Sequence, residues 1–268
     1  MNAKYLCLLG LLISSASSAI INGEPCSEEE FPASLELVIR ESDETYVTTC
    51  GATLIAADVA VTAAHCVKDI KTEYQLYVSS KADFGYIYDR EFDSDSARTI
   101  QVKTIITHGA YSSVNGDGPR DDIALLFLFR KFEITPAHML SPFESESLAT
   151  GLKAYIIGWG QQKIGLKDEV HTLPTKHCAT SFVNKIKLSE IQLGSGKHSP
   201  HKCFGDSGGA TYVQLSTGMR FTGVTSHGKH DDTTCKKGGY DTRVDFYYDW
   251  IIQQMQEGCT KGYRLFCR

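Results

Sequence analysis

The sequence has no run approaching the ~20 apolar residues that a membrane-crossing helix requires. Its most apolar stretch, YLCLLGLLI at 5–13, is too short to span a bilayer. It also lacks an excess of positive charge. Its 27 Lys and Arg face 32 Asp and Glu, a net charge of −5, which argues against a nucleic-acid or anionic-membrane partner. No CxxC and no HxxxH pair occurs, so the common zinc spacings are missing. There is no Asn-x-Ser/Thr acceptor, no internal repeat and no low-complexity tract. Helical patterning is scarce too.

What is present is ordinary for a globular chain. The 268 residues, 42% hydrophobic and 22% charged, suffice for one large domain or two smaller halves with a sizeable core. Residues 1–19 stand apart. Lys4 gives a positive start, residues 5–13 an apolar segment, and SSASSA (14–19) a small-residue cleavage site with Ser17 and Ala19 at the −3 and −1 places. This segment predicts export and a soluble secreted product, extracellular or, in a bacterium, periplasmic. Without Lys4 the net charge moves from −5 to −6. Of nine cysteines, Cys7 leaves with the leader, and an even number in an exported chain favours four disulfides over zinc.

The body alternates short β-rich runs with turn signals: SLELVI (34–39), ATLIA (52–56), VAVTAA (59–64), TIQVKTIIT (99–107), IALLFLF (123–129), AYIIGW (154–159) and FTGVTS (221–226). This pattern predicts an antiparallel sandwich or barrel. One helix is predicted at 244–257, with Val244, Tyr247, Ile251 and Met255 on one face, Asp245 as cap and Gly258 as stop. SSVNGDGPRDD (112–122) reads as a loop, and SPFESESLATG (141–151) as a connection between two β-rich halves.

Three short motifs carry chemistry. VTAAHC (61–66) ends in a histidine beside a cysteine, DDIALLFL (121–128) sets acids at the head of an apolar strand, and GDSGG (205–209) surrounds Ser207 with glycines that permit a sharp turn. Singly they are a packed histidine, a solvated turn acid and a glycine turn. Together they supply what acyl transfer needs: a nucleophile, a base, an acid orienting the base, and two aimed N–H donors.

In that order, with an Ile-Ile-Asn-Gly start at residue 20 and GWG at 158–160, these motifs resemble the chymotrypsin-fold (trypsin-like) serine proteases over nearly all of 20–257. The resemblance implies an all-β fold of two antiparallel six-stranded β-barrels, about 20–140 and 152–243, followed by the helix 244–257 and a tail, 258–268. It implies a secreted serine endopeptidase working through an acyl-enzyme, with His65 as general base, Asp122 (rather than Asp121) fixing its tautomer, and Ser207 as nucleophile. The Gly205 and Ser207 N–H groups become the oxyanion donors. Neither a cofactor nor a metal is implied. The expected partners are peptide or protein substrates and protein protease inhibitors, and the expected state is a monomer. Two other readings stay open: a recognition module of the same fold without chemistry, although the chain keeps all three residues, and a hydrolase of non-peptide esters.

The same resemblance pairs Cys50 with Cys66 around the histidine, worth about 3 kcal/mol for a loop of that size, Cys203 with Cys235 at the substrate pocket, and Cys26 with Cys178. Cys259 and Cys267 are left for each other in the tail. A further pair common in the family is absent, Ala154 and Val213 standing at its places, and the segment between Cys178 and Cys203 is short. DREFDSDS (89–96) fits no defined calcium loop and reads as a solvated acidic loop.

For activation, the resemblance pairs a newly freed ammonium at Ile20 with Asp206. The expected leader cleavage falls directly before Ile20, so export itself generates this terminus, unless cleavage after Ala16 leaves a tripeptide to be trimmed. For specificity, it places His201 at the floor of the primary pocket, Lys202 beside it, Gly228 and Gly239 as open walls, and Ser226-His227-Gly228 along substrate backbone, with His227 where the family usually has Trp. A cationic floor disfavours cleavage after Lys or Arg. Acidic side chains could pair with Lys202 or protonated His201. An outward Lys202 would leave a neutral pocket for aromatic or Leu side chains, and Asp241 (in GGYDTRV, 238–244) could neutralise Lys202 or restore basic specificity.

Overall fold

A computed structural model of the chain describes residues 20–40, 46–71, 73–81, 97–114, 118–160, 175–196, 198–229, 232 and 235–267. The leader (1–19) and the acidic run (89–96) lie outside them. The strands are β1 (Glu24–Pro25), β2 (Ser34–Arg40), β3 (Tyr46–Ala56), β4 (Val59–Thr62), β5 (Gln75–Ser79), β6 (Thr99–Thr107), β7 (Ser112–Val114), β8 (Gly118–Arg120), β9 (Ala124–Leu128), β10 (Lys153–Gly158), β11 (His177–Ile186), β12 (Glu190–Leu193), β13 (Ala210–Leu215), β14 (Gly218–Gly228) and β15 (Gly239–Arg243). One α-helix, α1 (Tyr248–Thr260), follows.

The first barrel closes in the order β2-β3-β4-β9-β6-β5, and the second in the order β11-β10-β13-β14-β15-β12. Every pairing within them is antiparallel. The all-apolar run ALLFL of β9 does not alternate because both of its faces are covered. Its side chains are fully buried, and Phe127 meets Gly258 of α1 and the Tyr263 ring, 6.1 Å away between centroids. Ala154 and Val213, which replace a family cysteine pair, lie directly opposite each other on β10 and β13. Both are fully buried, so apolar packing occupies the place of that bridge. The four disulfides are Cys26–Cys178, Cys50–Cys66, Cys203–Cys235 and Cys259–Cys267.

Five sequence expectations are corrected. The segment at 20–25 does not begin the first barrel. Ile20 is buried in the core of the second, and β1 pairs with β11 through Glu24 and Cys178. The helix starts at Tyr248 rather than 244, and Asp245 is not its cap. Its carboxylate instead takes hydrogen bonds from Arg243 and from Ser145. Gly258 does not stop the helix but lets it approach Phe127, and the left-handed residue that follows the helix is Gly262, with φ +73°. The loop at 112–122 contains the β7–β8 hairpin, because Pro119 and Arg120 extend the chain back along Ser112 and Ser113.

The tail beyond α1 is clipped to the first barrel through Asp58, in the β3–β4 turn. This carboxylate is fully buried and accepts from the Leu265 N–H at 2.8 Å, the Phe266 N–H at 3.2 Å and the Arg264 guanidinium at 3.3 Å. Truncation after Gly258 removes all three donors and strands a buried charge, at a cost of about 3–5 kcal/mol. For a chain of this size that lowers Tm by about 6–20 °C, which differential scanning calorimetry reads directly. A truncated chain that melts with the full one refutes the assignment.

Candidate active site

β4 ends at Thr62, and a single 3-10 turn, Ala64–Cys66, carries His65 out of the barrel, tied back to β3 by Cys50–Cys66. Asp122 precedes β9, which pairs with β4, so the two side chains converge at the same barrel end. Asp122 Oδ2 lies 2.7 Å from His65 Nδ1, and Oδ1 accepts the His65 backbone N–H at 2.9 Å. Ser226 donates its hydroxyl to Oδ2 at 2.5 Å. A carboxylate only accepts, so Nδ1 carries the proton and Nε2 is left as the basic nitrogen. Burial pushes the Asp122 carboxyl up, but the bonds and charge of His65 and the Ser226 hydroxyl outweigh it and hold it below its ordinary value.

Ser207 sits in a turn that only glycine permits at two points: Gly205 (φ +88°) and Gly208 (φ +74°). A side chain at Gly208 would fall on the Gly51 carbonyl and the Thr62 hydroxyl. The turn thus docks on the strands that carry His65, and Gly51 donates its N–H to the Ser207 carbonyl at 2.7 Å. Among the described residues, the Gly205 and Ser207 N–H groups donate to no protein acceptor. Asp206 is fully buried and accepts the N–H groups of Gly160 (2.9 Å) and Cys203 (2.8 Å). A side chain at Gly158 would strike its carboxylate and Ile20 Cδ1 together, which is what the glycines of GWG avoid. Burial raises the Asp206 carboxyl to about 7 against those two donors, so the site favours a neighbouring cation.

A cavity of about 420 Å³ opens beside Ser207, lined among others by Lys202, Ser226, His227, Gly228, Asp232 and Gly239. His201, expected at its floor, is not among the lining residues. Its ring turns to the Ser199 carbonyl at 2.6 Å and its backbone bridges Ile21, packed beneath Gly194. Lys202 lines the cavity instead, and it does not point outward. Its ammonium is buried, 2.8 Å from Asp241 and 2.7 Å from Thr211, whose hydroxyl also donates to Asp241. Burial pulls the Lys202 ammonium below its ordinary value, against the opposing pull of Asp241. Thr211 and the Glu190 partner of His227 are not legible in the sequence because the register of β12, β13 and β14 across β15, not spacing along the chain, brings them in.

Comparison with known proteins accords with this geometry. The family model Trypsin matches residues 20–251. The chain belongs to the trypsin family of serine proteases. Among relatives, it is 30% identical to Proproteinase E of Bos taurus over 89% of this chain and 95% of that protein. It is 29% identical to Mast cell protease 3 of Ovis aries over 95% and 97%, and 28% identical to CLIP domain-containing serine protease B4 of Anopheles gambiae over 87% and 69%. As a trypsin-family member the chain is a serine endopeptidase acting on peptide or protein substrates. No helix among its described residues is long and apolar enough to cross a membrane.

Proposed function

We propose that this serine endopeptidase is secreted and cleaves peptides through Ser207, His65 and Asp122 by way of an acyl-enzyme, with a primary specificity that is not tryptic. The observation carrying the mechanism is the His65–Asp122–Ser226 arrangement beside a docked Ser207 turn with two unclaimed N–H groups. His65 Nε2 takes the Ser207 hydroxyl proton as oxygen attacks the scissile carbonyl, and later delivers it to the leaving amine. Asp122 stabilises the imidazolium formed between those events. The Gly205 and Ser207 N–H groups receive the tetrahedral oxyanion. Ile20, freed by leader cleavage, places its ammonium against Asp206 and so orders these donors.

The specificity reading rests on Lys202. At the base of the pocket Lys202 and Asp241 already match each other, with Thr211 bonded to both, so the base offers no free acid to a substrate Lys or Arg and no unmatched cation to Asp or Glu. Lys229 and Asp232 also line the cavity, and the Asp232 carboxylate already accepts the Lys237 N–H. The pocket suits aromatic, Leu or Met side chains, because burying a charge without a partner is costly. Cleavage profiling on a diverse peptide library, with Ser207→Ala as control, tests both parts. Phe and Leu substrates are expected to outpace Arg and Glu ones, and efficient cleavage after Arg overturns the specificity reading. Lys202→Ser strands Asp241 at the pocket base and is expected to raise Arg turnover relative to Phe by tenfold or more, the worth of one charge pair of ~1.5 kcal/mol or above. An unchanged Arg-to-Phe ratio would remove Lys202 and Asp241 from the specificity account.

A further inference from the structure

The strand beside the catalytic serine ends on a histidine that faces two acceptors. His227 Nδ1 lies 2.9 Å from the Gly228 carbonyl oxygen, and Nε2 lies 2.9 Å from a Glu190 carboxylate oxygen. Neither partner can donate, so in this arrangement both ring nitrogens carry protons. Glu190 is in no position to supply a proton, since its other oxygen is 2.7 Å from the Lys187 ammonium. Burial pushes the Glu190 carboxyl up, but His227 and Lys187 outweigh it and hold it below its ordinary range.

The ring is held by two neighbours. Tyr240 stacks on it, with centroids 5.0 Å apart and planes at 22°, and Gly118 of the β7–β8 hairpin lies so close that a side chain there would collide with the imidazole. Among the described residues the titratable and charged groups around it are Glu190 on β12, Lys187 before it, Tyr240 on β15, Arg120 at the end of β8, and Lys229 and Asp232 after its own strand. The Lys187 ammonium also sits over the Tyr240 ring, 3.9 Å from the centroid. Burial pulls the His227 imidazolium down, yet the Glu190 bond, the Gly228 carbonyl and the Glu190 charge raise it above the ordinary histidine value.

This cluster borders the edge on which a peptide would lie. β14 pairs with β15 as far as Gly228. On its other side the bonds to the Ser207 turn and β13 end at Thr225. Among the described residues 226–228 have no partner strand on that side, and the edge lines the cavity with Ser207. An extended peptide adding there uses backbone N–H and C=O groups, and the Gly228 carbonyl is the acceptor that His227 holds.

We propose that Glu190 and His227 are a pH-responsive positioning pair for peptide binding, in which the doubly protonated ring holds the Gly228 carbonyl to itself and loss of one proton releases that carbonyl to a substrate N–H. The proposal rests on the reading of 226–228 as the peptide-docking edge. The proton kept is the one on Nε2, facing the carboxylate in a charge-assisted bond. Nδ1 then turns a lone pair towards the carbonyl oxygen, and attraction becomes repulsion. Extended peptides therefore bind more tightly above the His227 titration than below it.

The test measures binding to the Ser207→Ala chain beginning at Ile20 from about pH 5.5 to 9, by calorimetry, with a tetrapeptide and with an acetylated single amino-acid amide carrying the same terminal side chain. The short ligand meets His65 and the pocket but does not reach Gly228, so His65 titration affects both ligands alike. Tetrapeptide affinity is expected to rise roughly three- to tenfold, the worth of one backbone hydrogen bond, through a step above ~6.5 that the short ligand lacks. In Glu190→Gln the step moves to lower pH, and in His227→Phe it vanishes. Nitrogen-15 spectra of the histidines are expected to show His227 protonated on both nitrogens at pH 6. A step that survives His227→Phe, or that appears equally for the short ligand, overturns the proposal, as does a singly protonated His227 at pH 6. If the tetrapeptide binds no better than the short ligand at any pH, the docking-edge reading itself fails, while the spectra still report the state of His227.

Discussion

Ser207→Ala is expected to lower kcat for peptide hydrolysis by about 10⁶-fold while leaving the fold intact. The structural part follows from how the turn is held. Gly51 donates to the Ser207 carbonyl, not to its side chain, and the glycines that shape the turn are untouched, so Tm should stay within about a degree or two. The catalytic part follows from interdependence. Without the hydroxyl, the basic Nε2 left by the His65–Asp122 bond has no proton to accept. His65→Ala is then expected to cost about as much, and the double variant scarcely more than either single one. Asp122→Asn, which frees Nδ1 from its carboxylate, is expected to cost about 10⁴-fold. Steady-state kinetics on one good peptide substrate, with a melting curve for each variant, decide the matter. Additive losses, or an active Ser207→Ala, would sink the triad reading.

The second large effect concerns the amino terminus. A chain beginning at Ile20 should be active, whereas one extended by a single residue, or carrying Asp206→Asn, should lose activity by hundreds- to thousands-fold. Asp206 is fully buried with two backbone donors, and burial lifts its carboxyl to about 7 against the pull of those donors. An ammonium beside it, next to the buried Ile20 side chain, supplies the missing charge. Removing one partner of such a pair costs about 3–5 kcal/mol, and Asp206 lies between the two N–H groups assigned to the oxyanion. The pH dependence has a definite sign. Pairing raises the ammonium above its free value of ~8, so its stabilisation is complete below that pH and is lost as pH rises through the paired value. Activity should therefore fall on the alkaline side, and acetylation of the terminus should reproduce that fall at neutral pH. Sequencing the secreted active enzyme tests the origin of the terminus: a start other than Ile20 refutes generation by leader cleavage alone.

The legible parts of the sequence were those in which local pattern and chemistry coincide. TIQVKTIIT announces β6 to the residue, and TAAHC, DIALL and GDSGG mark the turns that carry His65, Asp122 and Ser207. What could not be read depends on register between distant strands. Asp241 is legible as an acid that could neutralise Lys202, but nothing local points to Thr211; it is the pairing of β13 with β14 and of β14 with β15 that sets the three together. His201 misled for a related reason. The family resemblance places it at the pocket floor, but its ring turns to the Ser199 carbonyl two residues back. The helix start slipped because Asp245, a good cap by composition, is claimed by Arg243 and Ser145, the latter 100 residues away in the chain.

The clip between Asp58 and the C-terminal tail has a consequence beyond thermal stability. An endopeptidase meets its own copies, and cleavage of folded proteins usually begins at fraying segments and mobile tips. Here the last segment is pinned by three donors into a fully buried carboxylate and closed by Cys259–Cys267. The Phe and Leu side chains that its proposed pocket suits occur in that very segment, at Leu265 and Phe266, both partly exposed. An extended backbone is needed for cleavage, and the clip withholds it. The clip is therefore expected to slow autolysis at Leu265 and Phe266.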